Sequence, residues 1–160
     1  MTTAKLIKAR NRYCSGCELC LLTCSLVRTG TVNPRLARVQ LVHAKDGGAH
    51  PVICVHCKDA LCLEACQVPG AMELDSETGA IVIDDEKCTR CLDCIDACPF
   101  DAIWVGPDGE VLKCDLCGGE PQCVEYCPPR PAHLPPHPTS SEESCLEYVA
   151  RRKKAKDSSA

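Results

Sequence analysis

The chain has 160 residues, 17 of them cysteine, with a net charge of −4 and five aromatic residues (three Tyr, one Trp, one Phe). That charge and so few rings exclude a nucleic-acid binder, which needs a basic surplus for phosphates and aromatic faces for bases. A thiol density above one residue in ten leaves a secreted disulfide scaffold or a metal protein.

The opening Met1-Thr2-Thr3-Ala4-Lys5-Leu6-Ile7-Lys8 has no apolar signal core, so a reduced, cytoplasmic setting is expected. Disulfides are disfavoured there and metal ligation becomes the expectation. No apolar run approaches the roughly 20 residues of a membrane-spanning helix, so any membrane link is expected to pass through a partner. With so few aromatics the conventional core is thin, and folding is expected to depend on the bound metal.

In chain order, Leu6-Ile7 between lysines reads as a short edge strand. Cys14, Cys17, Cys20 and Cys24 follow with spacing C-x2-C-x2-C-x3-C. Glu18 to Val27 suits a short helix ending near Gly30. Leu36 to His43 alternates and is predicted to be a strand, followed by the loop Lys45-Asp46-Gly47-Gly48. Cys54, Cys57, Cys62 and Cys66 form a second quartet, with a longer middle gap. Gly79 to Asp84 predicts a hairpin strand.

The third quartet, Cys88, Cys91, Cys94 and Cys98, is closed by Pro99. It is the bacterial iron–sulfur ligand run, whose fourth cysteine ligates the other cluster in two-cluster ferredoxins. That cysteine is expected at the start of a helix. Phe100 to Val105, the turn Gly106-Pro107-Asp108-Gly109 and Val111-Leu112 predict a second hairpin. Cys114, Cys117, Cys123 and Cys127 make the fourth quartet, closed by Pro128.

Zinc also binds cysteines at two-residue spacing, but it favours pairs separated by a longer loop. Three close thiols suit the face of a cubane better, and the pattern recurs four times. Residues 128–138 hold six prolines and read as an extended strap. A capping-type start, Ser140-Ser141-Glu142-Glu143, with Leu146, Val149 and Ala150 on one face, predicts a helix over about 141–153, either docking or solvated. Cys145 lies on it, completes no quartet and reads as a free thiol.

These quartets, with Lys113-Cys114-Asp115-Leu116-Cys117 and the ending Cys123 to Pro128, resemble the four-cluster ferredoxin-like subunits. Those subunits serve molybdenum and tungsten oxidoreductases, hydrogenases and carbon monoxide dehydrogenases. The resemblance covers nearly all of residues 5–130. The chain looks closer to the small soluble forms, including those paired with tungsten aldehyde oxidoreductases, than to the subunits of respiratory membrane complexes.

The resemblance implies an α+β fold of two tandem ferredoxin-like βαββαβ halves. The outer half would comprise 1–50 and 100–130, the inner half 51–99, with 131–160 as strap and tail. It also implies four [4Fe–4S] clusters. Their ligand sets are Cys14, Cys17, Cys20 and Cys127; Cys54, Cys57, Cys62 and Cys98; Cys66, Cys88, Cys91 and Cys94; and Cys24, Cys114, Cys117 and Cys123.

The implied role is one-electron relay, without catalysis of its own, between a catalytic subunit with a pterin-metal or nickel site and a flavin subunit, ferredoxin or other carrier. Self-association into a longer relay is compatible with it. A carbon monoxide dehydrogenase, hydrogenase or formate system, and a free polyferredoxin, are alternatives; a zinc-based interaction module is the alternative of another class. Arg12, Arg90 and Lys113 sit beside cysteines, where they either favour the reduced clusters or are ordinary solvated cations. His56 either donates to a sulfur or is a partly exposed loop histidine. His43, His50, His133 and His137 show no ligand spacing, and Asp93 with Asp96 reads as a solvated face. No phosphate loop, dinucleotide fingerprint or nucleophile–base spacing is present.

Overall fold

The computed structural model describes residues 5–45, 48–128 and 144–150. The strap, the proposed helix start at 140–143 and most of the tail lie outside the described residues.

Within them, short helices alternate with hairpins. The order is β1 (Lys5–Ala9), α1 (Leu19–Thr29), β2 (Gln40–His43), β3 (Ala49–Val52), α2 (Leu61–Ala65), β4 (Met72–Leu74), β5 (Ile81–Ile83), α3 (Asp93–Asp96), β6 (Ile103–Val105), β7 (Val111–Lys113), α4 (Gln122–Glu125) and β8 (Leu146–Ala150). The strands form antiparallel pairs: β1 with β8, β2 with β3, β4 with β5, and β6 with β7. Helix α1 packs on α4, and α2 on α3.

Local chemistry sets most boundaries. Helix α1 stops where Gly30 turns left-handed at φ 72° and its N–H returns to the Leu26 carbonyl at 2.8 Å. The β6–β7 turn uses Gly109 at φ 77°, and the Gly106 N–H reaches the Glu110 carbonyl at 2.8 Å. The strand expected from Leu36 begins later, at Gln40. Pro34 opens a 3₁₀ turn over Pro34–Leu36, capped by the Asn33 Oδ1, which accepts from the Arg35 N–H at 3.1 Å. Ala37 and Val39 then carry the chain inward and are buried.

In the second, third and fourth quartets the fourth cysteine lies at or just past the end of its helix and not at the start, whereas Cys24 of the first lies inside α1. Cys66 caps α2, and Cys98 follows Ala97, the cap of α3.

The expected C-terminal helix is a strand where the chain is described. Residues Leu146–Ala150 pair antiparallel with β1, Ile7 opposite Tyr148 and Ala9 opposite Leu146. Strand β1 would otherwise be an open edge. Tyr148 and Val149 suit a pleated surface. Side chains fix the register: Arg10 meets Glu147 at 2.6 Å, and the Lys5 ammonium lies 4.9 Å from the centre of the Tyr148 ring. The periodicity that suggested a helix came from three residues, and the unpaired edge outweighs it.

Cysteine takes the place of aromatic rings in the interior. The larger core group joins Ile7, Tyr13, Val39, Ile53, Leu116 and Leu146 to Cys20, Cys24, Cys54, Cys114, Cys123 and Cys145. The smaller group gathers Met72, Ile81, Ile103 and Val111 around Cys94. Leu146 is 3% exposed and ties β8 to the larger group. Leu146→Ala is expected to cost about 2–4 kcal/mol of stability, with Val149→Ala costing less. Denaturant unfolding under anaerobic conditions, followed by visible absorbance, measures both.

Candidate metal centres

Each quartet begins as a loop and ends as a helix. In all four loops the residue two places after the first cysteine is left-handed: Gly16 (φ 70°), His56 (φ 46°), Arg90 (φ 59°) and Leu116 (φ 58°). The first loop places glycine there and the other three accept strain. The reversal turns backbone N–H groups back onto sulfur. His56 N–H points at the Cys54 Sγ at 3.4 Å, and Leu116 N–H at the Cys114 Sγ at 3.5 Å.

Third and fourth cysteines are four residues apart across a helical turn, so they share a helix face about one turn apart. Helix α1 thus carries Cys20 and Cys24, and α4 leads from Cys123 to Cys127. Helices α2 and α3 do the same for Cys62 and Cys66, and for Cys94 and Cys98.

The cysteines close around four hollows of about 350, 340, 320 and 340 Å³, counting all unfilled space and the open mouths. Cys14, Cys17, Cys20 and Cys127 line the first, with Cys145. The second is lined by Cys66, Cys88, Cys91 and Cys94. Cys24, Cys114, Cys117 and Cys123 line the third, and Cys54, Cys57, Cys62 and Cys98 the fourth. Each helix therefore sends its two sulfurs into different hollows.

Among the described residues, no group of three or more His, Cys, Asp or Glu side chains converges on a point that would hold one metal ion. Four-coordinate zinc needs thiolates at about 2.3 Å from a common centre. Sulfurs ringing a space fit a multi-atom inorganic cluster instead.

Burial governs the thiols. Desolvation, reinforced by Cys14, Cys17 and Cys127, pushes Cys20 up to about 12. Cys94 rises to about 11 by desolvation and then by Cys88, Cys62 and Cys91. Desolvation carries Cys114 to about 12 and lifts Cys123 as well.

The same influences show which hollows adjoin. Cys94 feels Cys62, Cys114 feels Cys54, and Cys123 feels Cys20. In series the hollows run from that of Cys88 and Cys91, through those of Cys54 and of Cys114, to that of Cys14 and Cys17. Cys91 and Cys17, in the two outer hollows, are the exposed cysteines.

Further amides face sulfur. Arg38 N–H approaches Cys24 at 3.2 Å, Ala102 N–H approaches Cys98 at 3.4 Å, and Leu146 N–H approaches Cys127 at 3.4 Å. Asp115 organises one loop. Its Oδ2 accepts from Arg28 at 2.8 Å and Arg38 at 2.9 Å, while Oδ1 accepts from the Cys117 N–H at 3.0 Å.

Three residues differ from their plainest sequence readings. His56 is fully buried; its Nδ1 accepts from the Ile81 N–H at 3.0 Å, so any proton on the neutral ring sits on Nε2. Lys113 is buried at 3% exposure and is not a solvated loop cation. Cys145 completes no quartet, as expected, but lies in the hollow of Cys14 and Cys127 at 3% exposure. A hydrogen bond to Cys14, with burial, holds its thiol protonated. No sequence spacing announced that position, because pairing of β1 with β8 creates it. Arg90 is exposed and donates to the Asp108 carbonyl at 3.0 Å, whereas Arg12 stacks on the Tyr13 ring at 4.6 Å.

A family model described as a 4Fe-4S dicluster domain matches residues 47–134. The chain belongs to that family, and its cofactors are [4Fe–4S] clusters, with sixteen quartet cysteines consistent with four.

Among relatives, it is 43% identical over 115 residues to the polyferredoxin-like subunit of an aliphatic sulfonate oxidoreductase from Pyrococcus furiosus, covering 71% of this chain and 66% of that one. It is 35% identical to the beta subunit of an NADH-dependent phenylglyoxylate dehydrogenase from Aromatoleum evansii, covering 72% of this chain and 26% of that one. The chain therefore spans from about a quarter to just under two thirds of these relatives. A chain of the active-site complex of benzoyl coenzyme A reductase shares the fold at TM-score 0.50 and 23% identity, covering 98% of this chain and 81% of that one.

Two outcomes follow. With thiols near 11 to 12 in the metal-free fold, protons compete with iron at every pH below about 11. Cluster retention should rise with pH, and each reprotonated thiol should weaken ligation about tenfold per pH unit of acidification. Anaerobic bleaching of the visible absorbance from about pH 8 down to about pH 5 reads this. At Arg90, relief of left-handed strain is worth about 1 kcal/mol, so Arg90→Gly should be neutral or stabilising, whereas Arg90→Val should cost about 1–2 kcal/mol. Thermal unfolding of the two variants compares them.

Proposed function

We propose that this chain is a four-station wire inside an oxidoreductase complex, passing single electrons between a catalytic subunit and a second redox partner. The observation that carries the reading is the row of four hollows, each ringed by four cysteines and each adjoining the next. The proposed ligand sets are those four rings: Cys14, Cys17, Cys20 and Cys127; Cys24, Cys114, Cys117 and Cys123; Cys54, Cys57, Cys62 and Cys98; Cys66, Cys88, Cys91 and Cys94. Cys145 stays outside them as a protonated neighbour. Two ferredoxin-like halves, residues 51–99 within 1–50 and 100–130, account for the way α2 packs on α3 and α1 on α4.

When bound, the clusters supply reversible one-electron redox chemistry. The protein's own residues do the rest. Backbone amides of Arg38, His56, Ala102, Leu116 and Leu146 face ligand sulfurs and favour the more negative, reduced state. The exposed Cys17 and Cys91 put the two ends of the row within reach of partners, and the inner hollows have no exposed cysteine.

The favoured partner is a tungsten- or molybdenum-dependent oxidoreductase of the aldehyde-oxidising type, with a flavin subunit or ferredoxin at the other end. The polyferredoxin-like relative of a sulfonate oxidoreductase supports a catalytic partner acting on a small organic substrate. Formate-oxidising partners are the second choice, on 40% identity over 97 residues to a formate dehydrogenase-O iron–sulfur subunit of Escherichia coli. A cytoplasmic location fits the thiol-rich composition. No helix among the described residues is long and apolar enough to cross a membrane.

Anaerobically purified protein should carry about sixteen iron and sixteen sulfide per chain. Stoichiometric zinc, or iron without labile sulfide, would overturn the reading. Cys14→Ser and Cys127→Ser should alter the same cluster signal in electron paramagnetic resonance, and Cys123→Ser a different one. If Cys14→Ser and Cys123→Ser alter one signal together, the ligand sets are wrong. Native purification then identifies the subunit that co-elutes.

A further inference from the structure

Lys113 ends β7 directly before Cys114 and is 3% exposed. Its ammonium crosses from the β6–β7 hairpin to the β4–β5 hairpin and donates to the Ile81 carbonyl. The Cys114 carbonyl lies at 3.4 Å and the His56 Nδ1 at 3.5 Å. All three are neutral. The imidazole offers only a lone pair, since Nδ1 already accepts from the Ile81 N–H. None of the ion pairs among the described residues includes Lys113.

A buried cation held only by neutral acceptors is unfavourable unless a negative charge lies nearby. Two of its contacts lead to the hollow of Cys54, Cys57, Cys62 and Cys98: Ile81 lines that hollow, and the His56 N–H faces the Cys54 Sγ at 3.4 Å. The same charge favours the thiolate forms of Cys57 and Cys62. Lys113 is adjacent in sequence to a ligand of one centre, yet its charge points at the neighbouring one.

We propose that Lys113 is the built-in counter-ion of the cluster held by Cys54, Cys57, Cys62 and Cys98, and raises the reduction potential of that inner station. The proposal rests on the relay reading and on that ligand set. The balance is simple: one electron enters the cluster from its neighbour, the site becomes one unit more negative, and no proton is taken up. The fixed ammonium favours the extra negative charge, so the electron is stabilised in the interior of the row and away from its exposed ends. Lys113 is a positioning residue that acts through charge and touches no substrate.

The test uses the full chain, purified anaerobically with its clusters. Lys113→Gln keeps a donor for the Ile81 carbonyl and removes the charge; Lys113→Arg keeps both. Potentiometric titration followed by electron paramagnetic resonance reads each cluster. In Lys113→Gln one cluster should be harder to reduce by a factor of ten or more at fixed potential, which for one electron is about 59 mV. Lys113→Arg should restore it. The control Lys87→Met, at an exposed lysine paired with Asp84, should move no cluster by as much.

If all potentials in Lys113→Gln match those of the parent, the proposal is overturned. Loss of one cluster in Lys113→Gln, with retention in Lys113→Arg, supports it. Loss in both overturns it and leaves Lys113 a packing role. Iron and sulfide content judge the relay reading separately. A shift in a cluster other than the one that Cys57→Ser alters would overturn the counter-ion assignment to this station while leaving the relay intact.

Discussion

Removing sulfur from water is the constraint on which this structure depends. A thiolate loses its hydration on burial, so the enclosed thiols of Cys20, Cys94 and Cys114 hold their protons far more tightly than free cysteine does. Left metal-free, the interior would be a set of neutral thiols around spaces that nothing in the chain fills. Iron held by these thiolates would have to displace those protons, so ligation and deprotonation would be coupled. Binding and folding are therefore expected to be linked, because a chain with five aromatic residues has few large side chains with which to fill its interior.

The local devices answer that constraint in a consistent way. A left-handed residue two places after each first cysteine bends the loop so that amides face sulfur. A single helical turn separates each third cysteine from its fourth, so one helix serves two hollows. Those two rules make neighbouring centres share a rigid element, and they hold the centres in a row with little other architecture. The hairpins act as struts between loops. The β4–β5 and β6–β7 pairs also bring Ile81, His56 and Lys113 together beneath an inner centre.

Much of this was legible in the cysteine spacing. The quartets, α1 with its glycine stop, and the two central hairpins are local features, and local chemistry encodes them. The rings of four were implied by family resemblance alone, since each combines cysteines from two quartets. What the sequence hid depends on distant contacts. Leu146–Ala150 reads as one face of a helix until β1 supplies an edge more than 130 residues away. His56 and Lys113 look like loop residues because nothing nearby shows that two hairpins will close over them. Cys145 looks idle because its neighbours, Cys14 and Cys127, belong to other parts of the chain.

The β1–β8 pair carries a consequence for the order in which the molecule is completed during translation. Every sulfur around the hollow of Cys88 and Cys91 has left the ribosome by Cys94, and every one around its neighbour by Cys98. The opposite end waits for Cys127, and its lid arrives with Cys145 and Leu146. One end of the row can thus be finished while the other still stands open to the solvent that the nascent chain meets.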